Sequence, residues 1–150
     1  MPGQTYVIFT LDEEIFAMDA SSITYVIRAV QPKLPLKVPE LLLGLINMGG
    51  KIIPLVDIRK QFGLSKREIY TSDRIIITES SGYPAAFVVD TILGVEEIQV
   101  RRACILYPQM QEYMAGIATL NNQTVLIYNI DTLIPPETIK QVNQSIEAAS

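Results

Sequence analysis

Few side chains stand in a spacing that could do acid–base or nucleophilic chemistry. They are two short carboxylate runs, Asp12-Glu13-Glu14 and Glu96-Glu97, and one thiol, Cys104, with no histidine in 150 residues. Histidine is the usual general base near neutral pH and the commonest metal ligand, so its absence removes much enzyme chemistry. Adjacent carboxylates on a turn or strand end are more often a solvated face than an acid–base pair. Cys104 sits in Ala103-Cys104-Ile105-Leu106, where a small buried thiol without a redox role is expected, and a single cysteine excludes an intrachain disulfide. Sixteen acidic against twelve basic residues give a net charge of −4. The basic pairs Lys66-Arg67 and Arg101-Arg102 do not make the stripe that a nucleic-acid binder needs. No catalytic residue, metal or cofactor is expected, and function is assigned to a surface that meets protein partners.

The elements that must present such a surface read as strands. Runs rich in Val, Ile, Phe and Tyr cover Tyr6–Leu11, Ile15–Ala20, Ile23–Ile27, Gly44–Met48, Lys51–Ile58 and Arg74–Thr78. Ala85–Ile92, Val95–Val100, Ala115–Leu120 and Thr124–Ile130 complete the set. About ten strands bounded by turn-rich clusters such as LDEE, SSGYP and LNNQ predict a mostly β protein. After Pro135-Pro136, the spacing of Ile139, Val142 and Ile146 predicts a surface helix over about 137–148. The segment Tyr107 to Glu112 reads as a connection between late strands. No leader segment is evident at the N-terminus, and no apolar run approaches the roughly 18 residues needed to span a bilayer. A cytoplasmic protein without direct membrane insertion is expected.

One pattern occurs twice. GLINMGGKIIPLVDI, starting at Gly44, returns 72 residues later as GIATLNNQTVLIYNI, starting at Gly116. Gly49-Gly50 then falls on Asn121-Asn122, Asp57 on Asn129 and Ile58 on Ile130. Glycine and asparagine accept the positive φ of a type I′ turn, so each copy reads as strand, two-residue turn, strand. Phe16-Ala17-Met18-Asp19 echoes Phe87-Val88-Val89-Asp90 at a similar offset, which suggests two related β subdomains. Pro54 lacks an N–H and is expected on a strand edge or at a bulge, while Gly44 and Gly116 mark kinks or close backbone approaches.

These blocks carry a family resemblance. YVIFTLDEEIFAMD, GLINMGGKIIPLVDIRKQFGL, FVVDTILGVEEI and EYMAGIATLNNQTVLIYNID occur in the order and at the separations of the CheW family of chemotaxis coupling proteins. The family core G-x-x-N-x-x-G-x-x-x-P-x-x-D-x-R stands here as Gly44, Asn47, Gly50, Pro54, Asp57 and Arg59. The resemblance covers about residues 5–134. It implies one domain over 1–150, made of two five-stranded SH3-like β-barrel subdomains with a C-terminal helix. It also implies a non-catalytic adaptor that joins the cytoplasmic tip of methyl-accepting chemoreceptors to the regulatory domain of a CheA-type histidine kinase. Such a protein is cytoplasmic and associated with membrane receptor arrays. The residues that the resemblance places at protein contacts are Ile23, Gly44, Asn47, Gly49, Ala86, Ile92, Val95 and Gly116, whereas Asp57, a carboxylate near a strand end, and Arg59 as its partner are expected in structural roles. The alternative is a CheW-like module diverted to another assembly, such as a pilus or other non-flagellar pathway, without kinase coupling. One departure bears on the contacts: many relatives carry arginine in N-L-R-G where this chain has Gly49, leaving Arg28 or Lys51 as substitute cations.

Overall fold

The computed structural model describes residues 4–35, 37–100 and 114–149. In chain order the elements are β1 (Gln4–Leu11), β2 (Glu14–Asp19), β3 (Ile23–Arg28), β4 (Leu42–Met48), β5 (Lys51–Val56) and α1 (Ile58–Gln61). They continue as β6 (Arg74–Ser80), β7 (Tyr83–Val89), β8 (Thr91–Ile98), β9 (Gly116–Leu120), β10 (Gln123–Ile127), α2 (Ile130–Leu133) and α3 (Pro136–Ala149). Cys104, the Arg101-Arg102 pair and the expected connection from Tyr107 to Glu112 lie outside the described residues.

The mostly β expectation holds as two five-stranded sheets and a C-terminal helix. Sheet A has the order β8-β1-β2-β10-β9, and sheet B the order β3-β6-β7-β5-β4. The two orders superimpose when β8 is matched to β3, β1 to β6, β2 to β7, β10 to β5 and β9 to β4. Each sheet is therefore one copy of the repeat, but sheet A is assembled from both ends of the chain and sheet B from its middle.

The strand pairing refines the offset of the weaker echo. Ile127 lies opposite Ala17 in the parallel pair of sheet A, and Leu55 lies opposite Ala86 in that of sheet B. Ala17 thus corresponds to Ala86, and Met18, not Phe16, stands where Phe87 stands. A two-residue slip leaves every side chain on the same face, because side-chain direction repeats every two residues along a strand. The pattern survives the slip.

That alternation builds three cores. Tyr6, Ile8, Ile15 and Ala17 point to a cluster private to sheet A, while Ile75, Ile77, Leu55 and Ala86 point to one private to sheet B. The opposite faces of the same strands send Phe9, Leu11, Phe16, Met18, Ile76 and Phe87 into a third cluster shared by both sheets. The rings of Phe9 and Phe16 stack at 5.8 Å, and Phe9 meets Phe87 across the sheets at 5.9 Å. Helix α3 adds Ile139 to this shared core, and its Asn143 Nδ2 donates to the Pro84 carbonyl at 3.1 Å and the Ile139 carbonyl at 2.8 Å.

Several boundaries differ from the strand runs read in the sequence. The run Ala85–Ile92 is divided at Asp90: β7 ends at Val89, and Thr91 opens β8, which continues to Ile98 past an irregularity opposite Ile8 and Phe9. The runs Lys51–Ile58 and Thr124–Ile130 end early, because Asp57 and Asn129 start the one-turn helices α1 and α2. Asp57 accepts from the Lys60 N–H at 3.2 Å, the usual N-cap contact. Pro54 lies within an inner strand, not on an edge. Its position is tolerated because the ladder between β5 and β7 begins one residue later, at Leu55.

Both repeat turns have the expected geometry, with φ of +62° and +93° at Gly49 and Gly50 and of +50° and +64° at Asn121 and Asn122. Gly44 has φ of +150°, and a Cβ there would lie 2.5 Å from the Lys33 carbonyl oxygen. The close approach expected at this glycine is made by the chain's own backbone, which pairs Lys33 with Leu45 through hydrogen bonds of 2.7 and 2.9 Å. Gly44→Ala is expected to destabilise the fold by about 2 kcal/mol through steric displacement and backbone strain. Urea unfolding measures this, and a loss near zero would show that the 33–45 bridge is dispensable.

Candidate functional site

The surfaces open to a partner lie at the sheet edges, because the central strands are buried on both faces. On β8, an edge of sheet A, Leu93 is 53% and Val95 60% exposed, although both are apolar. On β3, the corresponding edge of sheet B, Tyr25 is 56% and Val26 42% exposed. The two edges are pseudo-equivalent, so the fold presents a similar apolar strip twice. Their chemistry differs at the ends: Glu96 and Glu97 continue β8, whereas Arg28 ends β3.

The site residues expected from the sequence divide among these places. Ile92 and Val95 share β8, with Ile92 half-buried against the shared core and Val95 exposed. Ile23 opens β3 and is also half-buried against the shared core. Gly44, Asn47 and Gly49 belong to the β4–β5 hairpin at the other edge of sheet B. Ala86 is fully buried in the private core of sheet B and presents no surface to a partner. Gly116, at the start of β9, is likewise buried. The structure thus gathers two pairings, Ile92 with Val95 and Asn47 with Gly49.

The hairpin is held by its own turn, where the Asn47 Oδ1 accepts from the Gly50 N–H at 2.8 Å. Two hollows flank it. One of 530 Å³ lies between β4 and the end of α3 and includes Leu45, Asn47, Ile52 and Ile146. Another of 250 Å³ includes Tyr25, Met48, Lys51 and Ile53. Gly49 at the tip has open space where a Cβ would stand, and exposed Lys51 supplies a cation two residues on.

The contact residues expected from the sequence do not include Tyr25, Val26 or Leu93, which the structure exposes. The signal available was positional. In β3 and β8 most residues are exposed, whereas β1, β2 and β5 to β7 carry runs of buried ones. Strand order, which decides who is at an edge, is not written in local periodicity.

A chain of charges joins the β1–β2 turn to α1 and to the entries of β6 and β8. The Arg59 guanidinium donates to Asp12 at 2.7 Å and to Asp90 at 3.0 Å, and Arg67 donates to Asp73 at 2.8 Å and to Asp90. Asp90 also accepts from the Asp12 N–H at 2.8 Å. Burial pushes the Asp90 carboxyl up, but that N–H and the two guanidiniums outweigh it and hold the group below its ordinary value. Asp73 and Asp90 raise Arg67 above the usual arginine range despite its partial burial. Arg59 thus serves structure, but its partners are Asp12 and Asp90 and not the expected Asp57. Asp57 acts separately, as the cap of α1.

The fold is a mostly β one of two five-stranded sheets with apolar strips exposed at its edges. A family model described as CheW-like domain matches residues 5–137, and the chain belongs to that family. Among solved structures, the scaffolding protein TtCheW from Thermoanaerobacter tengcongensis is similar at 31% identity with a TM-score of 0.76, covering 89% of this chain and 88% of that one. Chemotaxis protein CheW of Thermotoga maritima is 27% identical over 135 residues, 89% of each chain. Protein FrzA of Myxococcus xanthus is 24% identical over 141 residues, covering 89% of this chain and 86% of that protein. Among the described residues, no helix is long and apolar enough to cross a membrane.

Because the folded-state acidity of Asp90 is increased, its contribution to stability is complete above the ordinary carboxylate range and disappears as pH falls through its lowered value. Asp90→Asn is therefore expected to lower the melting temperature at pH 7 and to flatten the acid limb below about pH 5. Thermal melts from pH 7 to 3 test this, and parallel curves for both proteins would remove Asp90 from the acid response. Gly49→Arg should leave the fold intact at a cost of about 1 kcal/mol, since the tip is open but φ is positive; a melting curve measures that cost.

Proposed function

We propose that this protein is a non-catalytic adaptor that couples the cytoplasmic tip of chemoreceptors to the regulatory domain of a CheA-type histidine kinase. The observation that carries this reading is the family match over residues 5–137, nearly the whole chain. Relatives matched along comparable lengths include a chemotaxis protein CheW and a scaffolding protein. In this reading the molecule works in the cytoplasm, held at receptor arrays by protein contacts.

The physical chemistry of the edges fits that work. A scaffold needs exposed apolar area framed by polar groups, and contacts of moderate size that assemble and still transmit change. The β8 strip with Ile92, Leu93 and Val95 meets the first need, with Glu96 and Glu97 as its acidic rim. A helical receptor segment would lay an apolar stripe along such a surface, with Ile23 and Ile92 as the half-buried floor of the contact. Asn47 and Gly49 form a second, polar contact at the hairpin tip. Buried Ala86 and Gly116 act through the shape of the strands and are not contact residues in this reading.

The test is calorimetric titration with the regulatory domain of the CheA-type kinase from the same organism. Saturable micromolar binding is expected. A folded protein that does not bind would overturn kinase coupling and favour a CheW-like module serving another assembly. For the receptor face, Val95→Asp is expected to weaken binding of a receptor-tip fragment at least about tenfold with an unchanged melting temperature, as for a charge placed in an apolar contact. Unchanged affinity would move the contact off β8.

A further inference from the structure

We propose that the hollow between the chain entering β4 and the chain leaving α1 is a docking groove for an acidic, leucine-bearing segment of a partner protein, and that Glu40 holds one of its cations until a partner carboxylate displaces it. The groove shares no lining residue with the β8 and β3 edges or with the β4–β5 hairpin, so the inference stands apart from the contacts assigned above.

The walls follow from the sequence. Pro32, Pro35 and Pro39 each lack an N–H and fix φ, so the chain between β3 and β4 has little regular structure in which to bury its apolar residues. Among its described residues only Lys33 joins a ladder, and Leu34 stays 65% exposed. The opposite wall is held by the end of α1. There Gly63 takes φ of +69°, and the Leu64 N–H donates to the Arg59 carbonyl at 2.8 Å, which turns the chain back along the helix. Leu34, Val38 and Leu64 face a hollow of 570 Å³ whose deepest apolar group is Leu42. Leu42 belongs to the shared core, and Val38 and Leu64 pack against it, so the floor is aliphatic and backed by fixed packing. A preformed apolar recess of this kind suits side chains inserted from outside.

The charges decide what those side chains accompany. Four ionic groups line the hollow, two of each sign. Asp57 is turned to the helix, where it accepts from the Lys60 N–H. The Lys60 Nζ meets Glu40 at 2.9 Å, with the Glu40 side chain 92% exposed. Lys66 has no carboxylate partner among the described residues, and neither have Lys33 and Lys37 on either side of Leu34. Unmatched cations around an aliphatic floor, in a chain of net charge −4, call for an occupant with carboxylates and leucines together. The Glu40–Lys60 pair lies almost wholly in solvent, where such a pair contributes little. A partner carboxylate that arrives with buried leucines therefore replaces Glu40, because the apolar burial comes in addition to the ion pair. No aromatic side chain lines the hollow, so it lacks the stacking platform of a single-strand nucleic-acid site, and its concave form does not suit a membrane surface.

The test is an array of peptides of about ten residues that place leucines at every spacing among glutamates, with a matched array in which lysine replaces glutamate. The protein should bind members of the acidic array and none of the basic one. For the tightest acidic peptide, fluorescence anisotropy should show Lys66→Gln, Lys60→Gln and Leu34→Asp each weakening binding about fivefold, with unchanged melting temperatures because all three residues are exposed. Glu40→Gln should instead tighten it about threefold, since the competing carboxylate is gone. Absence of saturable binding across the acidic array, or binding that survives the Lys66 and Leu34 substitutions, would overturn the groove. An unchanged or weaker affinity in Glu40→Gln would overturn the displacement. Equal capture of phosphatidylserine vesicles or single-stranded DNA, with the same loss in Lys66→Gln, would make this a general anion surface and overturn a peptide site.

Discussion

The double burial of the central strands constrains everything else in this molecule. β1, β2, β6 and β7 each send alternate side chains into a private core and into the core shared by both sheets. Each large side chain buried in this way contributes about 1.5–3 kcal/mol, so neither sheet can be separated without exposing a row of such groups. Phe9 and Phe87, both essentially inaccessible to solvent, lie at the contact between the halves. Sequence order reinforces the union, because sheet A is closed by strands from both ends of the chain while sheet B forms in between. Two repeats became one cooperative body.

That constraint drives the exposed chemistry outward. With both faces of the inner strands occupied, the surfaces that remain are edges, turns and the hollows beside them. β8 and β3 retain Leu93, Val95, Tyr25 and Val26 in solvent although the shared core lies close behind Ile23 and Ile92. An exposed apolar edge strand invites association, and natural proteins otherwise blunt such edges with charge or irregularity. β8 carries both devices, through Glu96 and Glu97 and the register shift opposite Ile8 and Phe9. The edge is restrained from indiscriminate pairing and still offers apolar area.

Much of the fold was legible in the residues. Gly49-Gly50 and Asn121-Asn122 announced their turns because positive φ at two successive positions leaves few residue choices. The 72-residue offset was equally clear, since it carries Gly44, Leu55 and Asp57 onto Gly116, Ile127 and Asn129. Less legible were α1 and α2, each a single turn too short for helical periodicity to register. Their only local mark was an Asp or Asn before an apolar residue. The site was read less well than the fold. Ala86 was expected at a contact from the family resemblance alone, yet only strand order reveals that it is closed off in the private core of sheet B. Tyr25 and Leu93 show the reverse error, apolar residues whose exposure results from edge positions that no local pattern specifies.

The same geometry explains why the carboxylates support structure and not catalysis at the place where they converge. Asp12, Asp73 and Asp90 surround two guanidiniums, and arginine remains protonated throughout the accessible pH range. Asp90 is held ionised by Arg59 and Arg67, so it has little proton affinity to lend to a reaction. Its capacity to accept hydrogen bonds is directed to the Asp12 N–H as well as to the arginines. These groups fasten the β1–β2 turn of one sheet to the helix and loop beyond a strand of the other. Electrostatics here fastens the rim of two sheets that the shared apolar core already joins.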